Sequence, residues 1–169
     1  MSRFILYTFQ CSPIMNANLS LFEELPSPQD RMDKKLDYIH TIITDSNFRI
    51  KRKREGYLNH KMYLDQRGIM VLKIANSKQL RLEEDFKIEK HQNYPSCFVV
   101  FDIRDNCQRI AIEDDVSSFS NTDVVRNILE YTLKQDLKPY GLSIEIKKEY
   151  DQNEFWELVG GLEKGVSMV

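Results

Sequence analysis

Three times along the chain a short polar residue stands three places ahead of an acid, directly before an apolar rhythm of helical period. The instances are Ser27-Pro28-Gln29-Asp30, Ser120-Asn121-Thr122-Asp123 and Asp151-Gln152-Asn153-Glu154. In each, the first side chain can accept from an orphan backbone N–H, and the acid sits where the helix dipole favours negative charge. These starts predict three helices. Between the first two, residues 48–113 alternate with period two and are punctuated by turns, the pattern of strands. The combination predicts an α+β fold: a mostly antiparallel sheet of about six to eight strands with three helices packed on it.

The first element, Arg3 to Phe9, is almost wholly apolar and reads as a strand covered on both faces near the sheet centre. Gln10 to Glu24 follow without a period and read as a long ordered loop, a length at which loops are often functional. The first helix opens at Ser27 with Pro28 in its favoured first position. Met32, Leu36, Ile39 and Ile43 form one apolar stripe, which places Arg31, Lys34, Lys35, Asp37 and Thr41 toward water. The helix stops near Asp45-Ser46-Asn47. Phe48 and Ile50 then alternate with charges, and Leu58, His60, Met62 and Leu64 share one face of the next strand.

After the turn at Asp65 to Gly68, Ile69 to Ala75 reads as a more continuous apolar strand. Leu80, Leu82, Phe86 and Ile88 alternate with charges, as in an exposed ribbon, and Tyr94-Pro95 breaks it. Cys97 to Ile103 turns back through Arg104-Asp105-Asn106 into Cys107 to Glu113, a hairpin. The second helix carries Val125, Ile128, Leu129, Thr132 and Leu133 and ends before Pro139-Tyr140-Gly141. The strand Leu142 to Lys147 follows, in an arrangement that allows it to run parallel to a hairpin strand. A last helix from Asp151 presents Phe155, Trp156, Leu158, Val159 and Leu162. Residues 1–169 read as a single domain. Its apolar tail points to a place beside another element, either a partner chain or the remainder of a longer product.

The bulk figures exclude more than they identify. At 41% hydrophobic residues, with nine Phe and eight Tyr, the chain is not of disordered composition. Its 24 basic and 26 acidic groups leave a formal charge of −2, so no global field draws in nucleic acid or an anionic membrane; such binding requires a local patch. Cys11, Cys97 and Cys107 are odd in number and include no C-x-x-C pair, against both a disulfide framework and a zinc ribbon. No apolar stretch is long enough for a membrane span, and the N-terminal run is too short for a signal-peptide core. A cytoplasmic protein is expected, without membrane contact.

Chemistry is nowhere concentrated. Arg49, Lys51, Arg52, Lys53 and Arg54, with Lys61, could track phosphates if they share a face, and Tyr57 and Tyr63 could stack on bases; the bland alternative is a solvated hairpin. Glu145-Ile146-Lys147 matches half of a metal-dependent nuclease site, with Asp102 as the partner carboxylate, though acid and base also alternate this way on any outer strand face. Glu83-Glu84-Asp85 and Glu113-Asp114-Asp115 are acid clusters without the glycine and spacing of a calcium loop. His40, His60 and His91 are isolated. No acyl-transfer, phosphate-loop or dinucleotide motif occurs, and neither a cofactor nor a metal is implied. Phe155 and Trp156 cannot both face a core from adjacent helical positions, which makes one of them a candidate contact residue.

The reading that these features favour is a non-catalytic protein-interaction or assembly domain of a soluble bacterial or phage protein, with a protein partner or self-association. The alternative is a nucleic-acid-binding or metal-dependent nuclease domain using the basic 49–61 hairpin.

Overall fold

A computed structural model describes residues 2–15, 25–54, 56–76, 78–84 and 87–149; for 78–84 and 87–93 it describes the backbone alone. Among the described residues, seven strands form one antiparallel sheet in the order β2-β3-β4-β7-β8-β1-β9, and a two-stranded ribbon, β5-β6, stands beside it. The strands are β1 (Phe4–Pro13), β2 (Ile50–Lys51), β3 (Tyr57–Gln66), β4 (Ile69–Ala75), β5 (Lys78–Glu84), β6 (Lys87–Asn93), β7 (Ser96–Asp102), β8 (Arg109–Glu113) and β9 (Leu142–Lys148). The described helices are α1 (Pro28–Asp33), α2 (Lys35–Thr44) and α3 (Thr122–Leu137). The α+β architecture is the one the sequence predicts.

Local signals hold where they are strongest. Ser27 caps α1 by accepting from the Asp30 N–H at 3.2 Å, with Pro28 in the first turn. Asn121, one place later than the sequence reading, caps α3 by accepting from the Val124 N–H at 3.1 Å. A 3-10 turn, Lys138–Tyr140, closes α3, and Gly141 follows it at φ +72, a left-handed conformation that suits glycine. The hairpin of β7 and β8 forms with Asp102 opposite Arg109. Since β1 is antiparallel to both β8 and β9, the last strand runs parallel to β8, with β1 between them.

The ribbon is the outer half of one long hairpin. Ala75 pairs with Ser96 in the sheet, and Lys78 pairs with Asn93 beyond it, so the register passes the Asn76/Pro95 interruption without a slip. The Asn76 N–H donates to the Pro95 carbonyl at 2.8 Å at that junction.

Four expectations give way to tertiary context. The single first helix is two, broken at Lys34 (φ −99, ψ 4). The break lets Arg31 turn inward, where it is 7% exposed rather than solvated. Burial is tolerated because its guanidinium donates to the Gly141 carbonyl at 2.7 Å and to those of Pro26 and Ile14 at 3.0 and 3.3 Å. In β3 the register shifts between Met62 and Leu64, a bulge that moves Leu64 off the face shared by Leu58, His60 and Met62. Gln10 to Pro13 are strand rather than loop, held by pairing with β9 out to Pro13–Leu142; residues 16–24 of the expected loop lie outside the described residues.

Finally, among the described residues β1 is covered by helices on one face only. Ile5, Tyr7, Phe9 and Cys11 are buried, whereas Leu6 and Thr8 are half-buried and Gln10 and Ser12 exposed. The same alternation runs through β4, β7, β8 and β9. Their buried side chains meet Ile39, Ile43, Val125, Leu129 and Leu133 in one core, so the described helices lie on a single side of the sheet. The helix predicted from Asp151, with Phe155 and Trp156, lies outside the described residues.

Candidate functional site

The face of the sheet away from the helices is the place where this chain presents unusual chemistry. Transverse pairing defines its rows. Leu64 is opposite Val71, Val71 opposite Val100, Val100 opposite Ala111, and Ala111 opposite Leu6. Opposite residues of antiparallel strands point to the same side, so five apolar side chains from five strands form one continuous row. Leu64 is 41% exposed, and the other four are half-buried without a described helix above them.

The adjoining row is cationic and aromatic. Lys61 is opposite Lys73, and Lys73 is opposite Phe98. The Lys61 ammonium sits 5.2 Å from the Tyr63 ring centroid, the Lys73 ammonium 5.0 Å from that of Phe98, and the two rings meet edge to face at 5.5 Å. Tyr63 shares this face by strand alternation, two places on from Lys61, and it is 52% exposed. A shallow cleft of about 210 Å³ opens beside the two lysines, bordered by Asn59 and Tyr94.

The basic run does not form one stripe. The Arg49 guanidinium folds back to donate to the Ser46 and Phe48 carbonyls at 3.1 and 2.8 Å. Lys51 reaches Asp136 at 4.0 Å, while its backbone N–H donates to Thr132 Oγ1 at 3.0 Å and docks β2 on α3. Arg52 donates to Asn76 Oδ1 and lies over the Phe119 ring, and Asn76 in turn donates to the Ser118 carbonyl at 2.7 Å. Lys53 and Arg54 are exposed at the turn. Of the six, Lys61 is the one that pairing sets in this row, opposite Lys73.

The nuclease constellation is not brought together. Asp102 is opposite Arg109, Arg109 opposite Thr8, and Thr8 opposite Lys147, so three strand spacings, about 14 Å, separate β7 from β9. Glu145 lies two residues further along β9. Carboxylates sharing a divalent cation must each place an oxygen within about 2.6 Å of it. Asp102 is instead gripped by Arg104 at 2.9 and 2.7 Å, which holds its carboxyl below the usual range, and Glu145 pairs with Lys147 at 3.7 Å.

The Glu113–Asp115 cluster is likewise engaged in structure. Glu113 accepts from the Phe98 N–H at 2.8 Å, and Asp115 accepts from the Ser117 N–H at 2.9 Å. Among the described residues no three His, Cys, Asp or Glu side chains converge as a metal site would require. His60 packs edge-on against Phe48 at 5.3 Å, and burial lowers its pKa. His40 lies 3.0 Å from Asp65. The side chains of His91 and of Glu83–Asp85 lie outside the described residues.

Lys73, Phe98 and the five-strand row were not legible as site residues in the sequence. The signal for the row was present in the runs Arg3 to Phe9 and Cys97 to Ile103: strands apolar at both parities must have something to place on each face. Lys73 became notable only when pairing set it against Lys61. Compared with protein-family models, curated proteins and solved structures, the chain matches none. Among the described residues no helix is long and apolar enough to cross a membrane.

Proposed function

We propose that this chain is a non-catalytic interaction and assembly domain that associates with a second copy of itself through the helix-free face of its sheet. The observation that carries this reading is the row Leu64–Val71–Val100–Ala111–Leu6, apolar across five strands. A soluble domain gains by covering such a strip. A twofold contact covers it with one surface, row against row, and closes the assembly.

The lateral edges favour the face over edge-to-edge pairing. On β9, the Ile146 N–H is occupied by Glu130 Oε2 at 2.8 Å. On the opposite side the terminal strand β2 is only two residues long, and where β3 extends past it β3 carries a bulge and Lys61, devices that discourage an added strand. A cytoplasmic setting accompanies the reading, supported by three free thiols.

The test is mass against concentration, by light scattering or sedimentation, for the wild type and Val100→Glu. The wild type is expected to rise toward twice the monomer mass with concentration, and Val100→Glu to stay monomeric with an unchanged circular dichroism spectrum. A wild-type protein that remains monomeric up to millimolar concentration overturns the reading.

A further inference from the structure

We propose that the corner of the helix-free face built by Tyr63, Phe98, Lys61 and Lys73 binds single-stranded nucleic acid, with bases on the rings and phosphates on the lysines. The site is distinct from the apolar row beside it and does not depend on the assembly reading.

Two ammonium groups on directly opposed positions of neighbouring strands repel each other, an arrangement that local sheet energetics disfavour. Among the described residues their partners are the Tyr63 and Phe98 rings rather than a carboxylate. The acid closest in the row, Glu113, accepts from the Phe98 N–H at 2.8 Å and from Ser2 Oγ at 3.2 Å, and among the described residues it forms no ion pair with either lysine. An anion between the lysines relieves that repulsion.

Rings and cations are also interleaved in the way a polynucleotide alternates bases and phosphates. A base arriving on the Tyr63 ring displaces the Lys61 ammonium from over it, and the freed lysine swings to the adjacent phosphate. Tyr94, 53% exposed, and Asn59 border the cleft next to the lysines, offering a further stacking surface and an amide for a base edge. A duplex keeps its bases stacked inside and presents none to such rings, so the occupant is single-stranded. The overall charge of −2 assists nowhere, which confines the electrostatic contribution to these two lysines.

The experiment is fluorescence anisotropy of the full chain with labelled dodecamers of thymidine and uridine, and with a duplex of equal length. The single strands are expected to bind and the duplex to bind at least tenfold more weakly. Two neutralised phosphates at about 0.7 each give a logarithmic salt slope near −1.4, or about sevenfold weaker binding on going from 50 to 200 mM salt. Tyr63→Ala is expected to weaken binding about fivefold or more, and Lys61→Gln/Lys73→Gln to remove most of the salt dependence. Both alter side chains at the helix-free surface, and a retained melting temperature certifies the fold.

Equal affinity for duplex overturns the proposal. So does binding that survives Lys61→Gln/Lys73→Gln but is lost in Lys53→Gln/Arg54→Gln, since the turn would then be the site. No binding at 50 mM salt, with Tyr63→Ala instead lowering the self-association mass, assigns the corner to a protein contact and also overturns it. Val100→Glu, which tests assembly, is expected to leave oligonucleotide affinity within twofold, so the two readings fail separately.

Discussion

Glu130 on α3 accepts the outward N–H of Ile146 on β9 at 2.8 Å, so a helix side chain occupies a position that a neighbouring strand would otherwise take. Arg126 adds a longer donation to the Ile146 carbonyl at 3.5 Å, and Lys134 lies 3.5 Å from Glu130. The helix that supplies the core through Leu129 and Leu133 thus also closes one edge of the sheet.

Replacing Glu130 with Ala leaves the Ile146 N–H without its acceptor at a residue that is 1% exposed. An unsatisfied buried donor costs about 1–3 kcal/mol. At roughly 2–4 °C per kcal/mol, the melting temperature is expected to fall by about 2–12 °C. Glu130→Gln keeps an acceptor and loses only the pairing with Arg126 and Lys134, so it retains most of the difference. Thermal unfolding of both variants checks this, and equal losses would count against the edge-closing role.

Tyr7 connects β1 to the start of α3. Its fully buried hydroxyl lies 2.8 Å from Thr122 Oγ1 and donates to Asp123 Oδ1 at 2.7 Å. Tyr7→Phe strands both partners and is expected to destabilise by about 1–3 kcal/mol in urea unfolding at pH 7. Burial pushes the phenol up to about 12 from 10.0. The folded state therefore favours the protonated form: that contribution is complete below pH 10 and declines as pH rises toward 12. The stability gap between wild type and Tyr7→Phe should shrink between pH 10 and 12. A gap that stays constant contradicts the assigned titration.

Arg31 and Gly141 act as one joint. A Cβ at Gly141 would come within 2.7 Å of Leu25 Cδ1 and 2.5 Å of the Arg31 guanidinium, at a φ of +72 that side chains rarely adopt. Gly141→Ala is expected to cost about 1–3 kcal/mol from the left-handed backbone and the crowding together. Arg31→Met removes the donor to three carbonyls and costs about as much. Because both act on one contact, a double-mutant cycle by urea denaturation should give a sum smaller than the separate losses. Strict additivity would show that the joint is not shared.

The three thiols differ in access. Cys11 is 7% exposed with its thiol pushed by burial to about 11, and Cys97 is fully buried and pushed to about 12. Cys107 is half-buried. Since the thiolate is the reactive form, native protein at pH 8 should release one equivalent of a thiol-titrating disulfide reagent quickly, and three in denaturant. Rapid reaction of two or more native thiols would contradict the packing around β1 and β7.

The helix start at Ser27-Pro28, the start of α3 to within one residue, and the turn after Asp102 were readable because each is decided by residues within a few places of one another. The alternation of β4, β7, β8 and β9 was equally local. Arg31 escaped that reading: its partners Ile14 and Gly141 lie far along the chain, and only their carbonyls make burying a guanidinium tolerable. Leu64 escaped because one extra residue in β3 reverses every side chain beyond it.

Asp102 and Glu145 looked like a pair in a linear string, yet the order β7-β8-β1-β9 holds them three strands apart. Lys73 looked like an ordinary outer-face lysine until pairing set it against Lys61. Amino-acid order alone determined where helices and strands begin and which side of each is apolar, since propensity, capping and period are short-range. Which strands are neighbours, and therefore which charges and rings share a surface, was decided by long-range pairing and by the core that rewards it.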